Sequence, residues 1–187
     1  MPTPTTTHPP FQRLMLYGVT GSGKTTAAAR ISAATGIPWT SVDDLTWKPG
    51  WVAVPDDEQR RIFTAICAGE RWVLDTAYGS WRDVPLARAD LVVGLDYPRW
   101  RSLSQLLRRT LRRAATGELA CNGNRETWRQ LVSRDSILVW HFKSFRRKRA
   151  RLRAAAAAPT GPPVVLVRSR RELDAWIDGL TRSSTPS

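Results

Sequence analysis

Short apolar runs alternate along this chain with longer stretches whose apolar residues recur every three or four positions, as strands alternating with helices would. Leu14-Met15-Leu16-Tyr17 reads as a buried strand, and the strong helix formers from Thr26 to Ile31 follow it until Thr35-Gly36-Ile37-Pro38 ends the helix. Trp39 to Val42 is a second, short strand that delivers Asp43 and Asp44 at its end, and Leu45 to Pro55 is a loop anchored by Trp47 and Trp51. Asp56-Asp57-Glu58 put negative charge where a helix begins, and Ile62, Phe63, Ile66 and Cys67 give that helix its buried stripe before Gly69 stops it. Arg71 to Asp75 and Leu91 to Asp96 are the third and fourth strands, each ending in an acid. A long helix follows with Leu103, Leu106, Leu107, Thr110 and Leu111 at core-facing spacing, and Thr116 to Asn124 reads as a mobile loop. One or two helices cover Glu126 to Ala158 with Leu138, Phe142, Phe145 and Leu152 along one face. After Pro159 to Pro163, Val164 to Val167 makes the fifth strand, and Ser169 with Glu172 forms a capping box opening a last helix that buries Leu173, Trp176, Ile177 and Leu180.

This alternation predicts an α/β fold, a parallel sheet covered on both faces. Ligands in such folds gather at the carboxyl ends of the strands, where Gly18 to Thr25, Asp43, Asp75 and Asp96 all emerge. The 187 residues suit a single domain over 11–182, with Met1 to Pro10 expected to be a disordered lead-in and 183–187 a flexible tail.

Gly18-Val19-Thr20-Gly21-Ser22-Gly23-Lys24-Thr25 fits the phosphate-binding pattern G-x-x-x-x-G-K-[ST], and it stands between a strand and a helix as that pattern requires. Glycines allow successive backbone N–H groups to turn inward around a polyphosphate, and the helix N-terminus adds positive charge. The backbone from Gly18 through Thr20, Gly21, Ser22 and Gly23 to Thr26 therefore forms the expected nucleotide cradle, with Lys24 reaching the β- and γ-phosphates and Thr25 taking a place on Mg²⁺. Asp75 closes an apolar strand as a magnesium-supporting acid does, and Asp96 is the runner-up. Asp43 is the candidate to orient or deprotonate an acceptor hydroxyl, while Asp44 fits loop capping equally well.

Charge sharpens the picture. Arg99 to Arg153 holds 14 arginines and two lysines against three acids, which accounts for the whole formal excess of +13. Arg108, Arg109, Arg112 and Arg113 stand before the Gly/Asn loop and Arg125 just after it, so cations flank one flap, a lid over about residues 108–126. Arginines on a closing lid stabilise a transferring phosphoryl group while expelling water. Arg109, Arg113 and Arg125 are the candidates for that role, and Arg146 to Arg153 read as a solvated helix face. A different reading uses the same segment: Trp128, Trp140, Phe142 and Phe145 among the arginines can stack single-stranded bases, giving a nucleotide-gated nucleic-acid-binding protein or a polynucleotide 5′-hydroxyl kinase. Core burial explains Phe142 and Phe145 better, so nucleic acid is the second choice.

No apolar run is long enough for a membrane span, and the Pro/Thr-rich start lacks the features of a secretory signal. Two cysteines, Cys67 and Cys121, make no disulfide framework, and two histidines offer no zinc constellation. A cytoplasmic location is expected.

On the phosphate loop, the run Ile37-Pro38 through Asp43 to Trp47-Lys48-Pro49-Gly50-Trp51, Arg71 to Asp75, Arg88-Ala89-Asp90, Leu95 to Arg99, Arg109 to Arg113 and Asn122-Gly123-Asn124-Arg125-Glu126, the chain resembles the small P-loop kinases related to adenylate kinase. It is most similar to the group labelled topology modulation (FlaR-type) proteins, over about Leu14 to Leu180. The resemblance implies a three-layer P-loop NTPase fold with a five-stranded parallel sheet of order 2-3-1-4-5 and a helical arginine-rich lid. It also implies that Arg168 lies near the nucleotide base. The expected activity is ATP- and Mg²⁺-dependent transfer of the γ-phosphoryl group to a nucleotide or other small acceptor. Thr76-Ala77-Tyr78 departs from the residues relatives carry after the strand-end acid, which leaves the acceptor open.

Overall fold

The computed structural model describes residues 11–124 and 137–183. Its centre is β1 (Arg13–Gly18), flanked in a parallel sheet by β5 (Trp72–Leu74) and β6 (Leu91–Leu95), with β2 (Trp39–Thr40) outside β5 and β7 (Val164–Val167) outside β6. The order along the sheet is β2-β5-β1-β6-β7. This numbering departs from 2-3-1-4-5 because an antiparallel hairpin of β3 (Trp47–Lys48) and β4 (Val52–Ala53), expected to be loop, adds two strands outside the sheet. Met15 lies opposite Leu74 on one side and Val92 on the other, and Gly18 opposite Leu95.

Alternation along β1 divides the core. Leu14 and Leu16 pack with Ala27, Ala28 and Ile31 of α1 (Lys24–Thr35) and Leu173, Ile177 and Leu180 of α7 (Arg170–Ser183). Met15 and Tyr17 face Phe63 and Cys67 of α3 (Asp56–Ala68), Trp81, and Leu152 of α6 (Ile137–Ala157). Each such side chain contributes about 1.5–3 kcal/mol on burial. Phe63 and Trp81 stack with ring centroids 3.8 Å apart, and the Trp81 indole N–H donates to Gln59, so the tryptophan is buried with its polar atom satisfied.

Several local expectations change. The second strand stops at Thr40, and Val42–Thr46 is a short helix, α2, so Asp43 and Asp44 sit in a first helical turn rather than at a strand end. The acids favour that turn through the dipole, and the Asp75 carboxylate accepts from the Val42 N–H. A four-residue helix, α4 (Asp83–Leu86), follows β5. On α5 (Arg99–Thr116) the buried line is Ser102, Leu106 and Thr110, while Leu107 and Leu111 are exposed. The helix is rotated because Gly21 presses against it: a Cβ on Gly21 would stand 2.5 Å from the Ser102 carbonyl oxygen and 2.7 Å from Leu106 Cβ. On α6, Phe145 and Leu152 are buried as expected, but Phe142 is exposed. Leu152 fits because Gly94 leaves room; a Cβ there would meet Leu152 Cδ1 at 2.5 Å.

The expected mobile loop is held. After Gly117 caps α5, a single 3₁₀ turn at Cys121–Gly123 carries Asn122 and Asn124 onto the β3–β4 hairpin. Asn122 Nδ2 donates to the Asp44 and Trp47 carbonyls, and Asn124 Nδ2 to those of Lys48 and Cys121. Asn124 Oδ1 accepts the Trp51 N–H at 2.8 Å. At the start of α7 Ser169 Oγ accepts the Glu172 N–H as the expected cap, while the Glu172 carboxylate accepts from the Ser169 hydroxyl and, one residue earlier than a capping box has it, from the Arg168 N–H. The lead-in 1–10, residues 184–187 of the tail, and Arg125 and Trp128 lie outside the described residues.

Candidate active site

The cradle is built where β1 hands over to α1. Gly21 and Gly23 hold φ of 78° and 85°, which side-chain-bearing residues rarely adopt. Its first half is braced by neighbouring helices. His141 is fully buried, and its Nδ1–H donates to the Thr20 carbonyl at 3.0 Å, with Ser102 Oγ 3.5 Å from Nε2. A trans peptide is planar with C=O and N–H antiparallel. Anchoring the Thr20 carbonyl on His141 therefore turns the Gly21 N–H the other way. Burial lowers the His141 pKa against the pull of the Thr20 bond, which favours the neutral ring.

Lys24 Nζ donates to the Val19 carbonyl at 3.1 Å. Burial, with Lys148 and Arg109 nearby, lowers its pKa to about 8 against the pull of Asp43 and Asp75. Thr25 Oγ1 donates to Asp75 Oδ2 at 2.7 Å, and the other Asp75 oxygen accepts the Val42 N–H. Asp75 is 2% exposed, and burial raises its pKa. The pair fits Mg²⁺: a hydroxyl and a carboxylate are hard oxygen donors, and this ion keeps most of its shell as water and phosphate. Among the described residues no group of three His, Cys, Asp or Glu forms a metal cage.

The cradle opens into a cleft of about 1480 Å³. Thr20 to Thr26 form its floor, and Lys148 and Lys143 of α6 also reach it. Arg109, Arg112 and Arg113 line it from α5, and Asp43, Trp47, Trp51 and Tyr78 from the opposite wall. The Tyr78 hydroxyl donates to Asp43 Oδ1 and accepts from Trp47 Nε1 at 3.3 Å. Burial and the Asp43 charge raise the Tyr78 pKa, so the phenol stays protonated. The cleft thus juxtaposes a phosphate cradle, a metal-compatible pair, a row of cations and an exposed carboxylate.

No protein-family model matches this chain, and no curated protein matches it in sequence. Solved structures do match in shape. A shikimate kinase from Acinetobacter baumannii, solved with shikimate, aligns with TM-score 0.59 and 16% identity over 95% of this chain and 93% of that one. A gluconokinase from Sinorhizobium meliloti 1021 aligns with TM-score 0.51 and 18% identity over 92% of this chain and 93% of that one. For a deoxyadenosine kinase from M. mycoides the TM-score is 0.51 and the identity 13%, over 91% of this chain and 98% of that one. The fold is that of the P-loop kinases.

Within this kinase fold the sequence-predicted residues divide. Thr20 through Thr26, Asp43, Asp75, Arg109 and Arg113 meet at one cleft. Gly18 lies just behind it, where a Cβ would stand 2.8 Å from Ser22 Oγ. Arg168 is exposed at the β7–α7 turn, and the arginine lining the cleft there is Arg170. Asp96 is engaged: Arg149 Nε and Arg153 Nη2 pair with its two oxygens at 2.5 and 2.9 Å. That modifies the reading of Arg146 to Arg153 as a solvated helix face: Arg146, Arg147 and Arg151 are exposed, but Arg149 and Arg153 neutralise a buried acid and tie α6 to the end of β6. Lys148, just before Arg149, is the cleft residue that sequence reasoning missed, and His141 is the brace it missed. The charge-dense sequence around Lys148 hid which residue turned inward, and a lone histidine on an apolar helix carries no signal until its carbonyl partner is known.

Proposed function

We propose that this chain is an ATP- and Mg²⁺-dependent phosphotransferase acting on a small molecule. The observation that carries the reading is the Thr25–Asp75 hydrogen bond at the mouth of the Gly18–Thr25 cradle. A phosphate loop alone would serve any nucleotide-binding protein. A metal-supporting acid on the same edge, facing a carboxylate across a cation-lined cleft, supports transfer. The triphosphate of ATP lies along the backbone N–H groups, with Lys24 leaving the Val19 carbonyl for the β- and γ-phosphates. Thr25, supported by Asp75, holds Mg²⁺, which when bound offsets charge on the phosphate oxygens. Lys148, Arg109 and Arg113 supply the remaining positive field, and Arg125 completes the lid. The acceptor occupies the wall formed by Asp43, Trp47, Trp51 and Tyr78. Catalysis is mainly positioning and electrostatic stabilisation.

The FlaR-type resemblance and the kinase neighbours support a small acceptor. Nucleic acid as the principal partner receives less support, because Arg149 and Arg153 of the basic segment are committed to Asp96. No helix among the described residues is long and apolar enough to cross a membrane. Free thiols at Cys67 and Cys121 suit a cytoplasmic setting.

The test uses γ-labelled ATP, Mg²⁺ and pools of small acceptors. Label in an organic product, lost in Lys24→Ala, is the expected result. An active Lys24→Ala protein with an unchanged melting temperature would contradict the reading.

A further inference from the structure

Charge is segregated across the cleft. Among the described residues, every lysine and arginine lining it comes from α1, α5, α6 or α7. The opposite wall, from Trp39 to Tyr78, contributes Asp43, Asp44 and Asp56 together with Trp39, Trp47, Trp51 and Tyr78, and no basic residue, while Asp75 stands at the cradle beside Thr25. Of the lid arginines nearest that wall, Arg112 is paired with Glu118 at 3.0 Å, and Arg113 lies 3.9 Å from the same carboxylate. Arg109 and Lys148 lie close enough to Lys24 to lower its pKa, and the Asp43 charge acts on both lysines.

A phosphate-bearing acceptor brings about two negative charges of its own and needs cations facing it. This wall offers the reverse. Like charges brought together in one cleft repel. A hydroxyl acceptor has the opposite need: a carboxylate that accepts its proton and an apolar face against which its carbon frame can lie. Asp43 provides the first. It is exposed to the cleft, and Tyr78, itself held by Trp47 Nε1, fixes one of its oxygens. Trp47 and Trp51, set edge to face with centroids 6.0 Å apart, provide the second.

We infer that the acceptor is an uncharged alcohol with a flat or apolar frame, phosphorylated on a hydroxyl, and not a nucleoside monophosphate phosphorylated on its phosphate. This rests on the phosphotransferase reading above. The acceptor oxygen forms a new bond to the γ-phosphorus, and the bond from that phosphorus to the β–γ bridging oxygen breaks. The electron pair leaves with ADP. The hydroxyl proton passes to Asp43 and from there to water. The product is a phosphate monoester.

The bond formed is the readout. The protein is incubated with γ-labelled ATP, Mg²⁺ and one of two pools: phosphate-free alcohols (nucleosides, polyols and aromatic alcohols) or nucleoside monophosphates. The expected product is labelled monoester from the first pool, stable to acid and removed by alkaline phosphatase. Asp43→Asn keeps the Tyr78 contact but cannot take the proton. It is expected to lose about 100-fold or more of the transfer rate, with ATP affinity within about twofold of wild type. Acid-labile label on a nucleoside monophosphate would overturn the inference and leave the phosphotransferase reading standing, as would an Asp43→Asn protein of near-normal rate. Label released to water alone from both pools would overturn that reading itself.

Discussion

Thr25 and Asp75 stand 50 residues apart in the chain and 2.7 Å apart at their side-chain oxygens. The bond joins the first turn of α1 to the residue after β5, and it holds because β1 and β5 are neighbours in register. Asp75→Asn preserves size and can still bond Thr25, but it removes the charge that supports the metal. Transfer at saturating Mg²⁺ is expected to fall about 100-fold, the equivalent of about 3 kcal/mol of transition-state stabilisation. ATP binding measured without Mg²⁺ is expected to change little. Rate against Mg²⁺ concentration checks both.

The lowered Lys24 pKa sets a pH dependence. In the nucleotide-free protein this lysine loses its charge as pH rises through about 8. A polyphosphate binds the charged form, so binding above that pH takes up a proton, and affinity declines as pH climbs. ATP dissociation constants from about pH 7 to 9.5 are expected to rise roughly 30-fold, with the bend near 8. Lys24→Arg, charged throughout, is expected to remove the bend.

His141 reaches the cradle without lining the cleft. His141→Leu keeps the volume and deletes the donor to the Thr20 carbonyl, freeing the Thr20–Gly21 peptide to turn. One lost hydrogen bond of about 0.5–1.5 kcal/mol corresponds to roughly a three- to tenfold weaker ATP affinity. His141→Asn, whose amide nitrogen sits near the place of Nδ1, is expected to recover most of it. Calorimetric titration of ATP into the three proteins separates this from a loss of stability, which thermal melting reports.

Asn124 is 3% exposed and joins the 3₁₀ turn to the hairpin through two hydrogen bonds, from the Trp51 N–H and to the Lys48 carbonyl, with a third to Cys121 inside the turn. Trp51 holds φ of 58°, a conformation that costs about 1–3 kcal/mol and persists only when neighbours fix it. Asn124→Ala is expected to lower stability by about 1–3 kcal/mol and to expose Gly117 to Gly123 to limited proteolysis. Unchanged cleavage there would contradict a structural clasp.

Much of this site was legible because its parts lie on regular patterns. A glycine-rich run between an apolar strand and an alanine-rich helix has one compact solution, and a strand closing in an acid delivers that acid to the sheet edge. Asp43 reaches the cleft by another local route than a strand end: α2 carries it, since the Val42 N–H finds its acceptor on Asp75, far along the chain. Leu107 and Leu111 have helical core spacing, yet the facing surface is Gly21 and not a broad apolar sheet, so the helix turns them outward. Asn122 and Asn124 read as loop because asparagine favours turns, and their partners are carbonyls of α2 and of the hairpin about 75 residues earlier. Partners distant in sequence are what pattern alone does not supply.

The central claim is that the Gly18–Thr25 cradle, with Lys24, grips a triphosphate. Calorimetric titration of ATP with Mg²⁺ into wild-type and Lys24→Ala protein measures it most directly. Saturable one-site binding by the wild type is expected, with affinity lower by about 100-fold in Lys24→Ala at an unchanged melting temperature. Equal affinity in two equally folded proteins would contradict it.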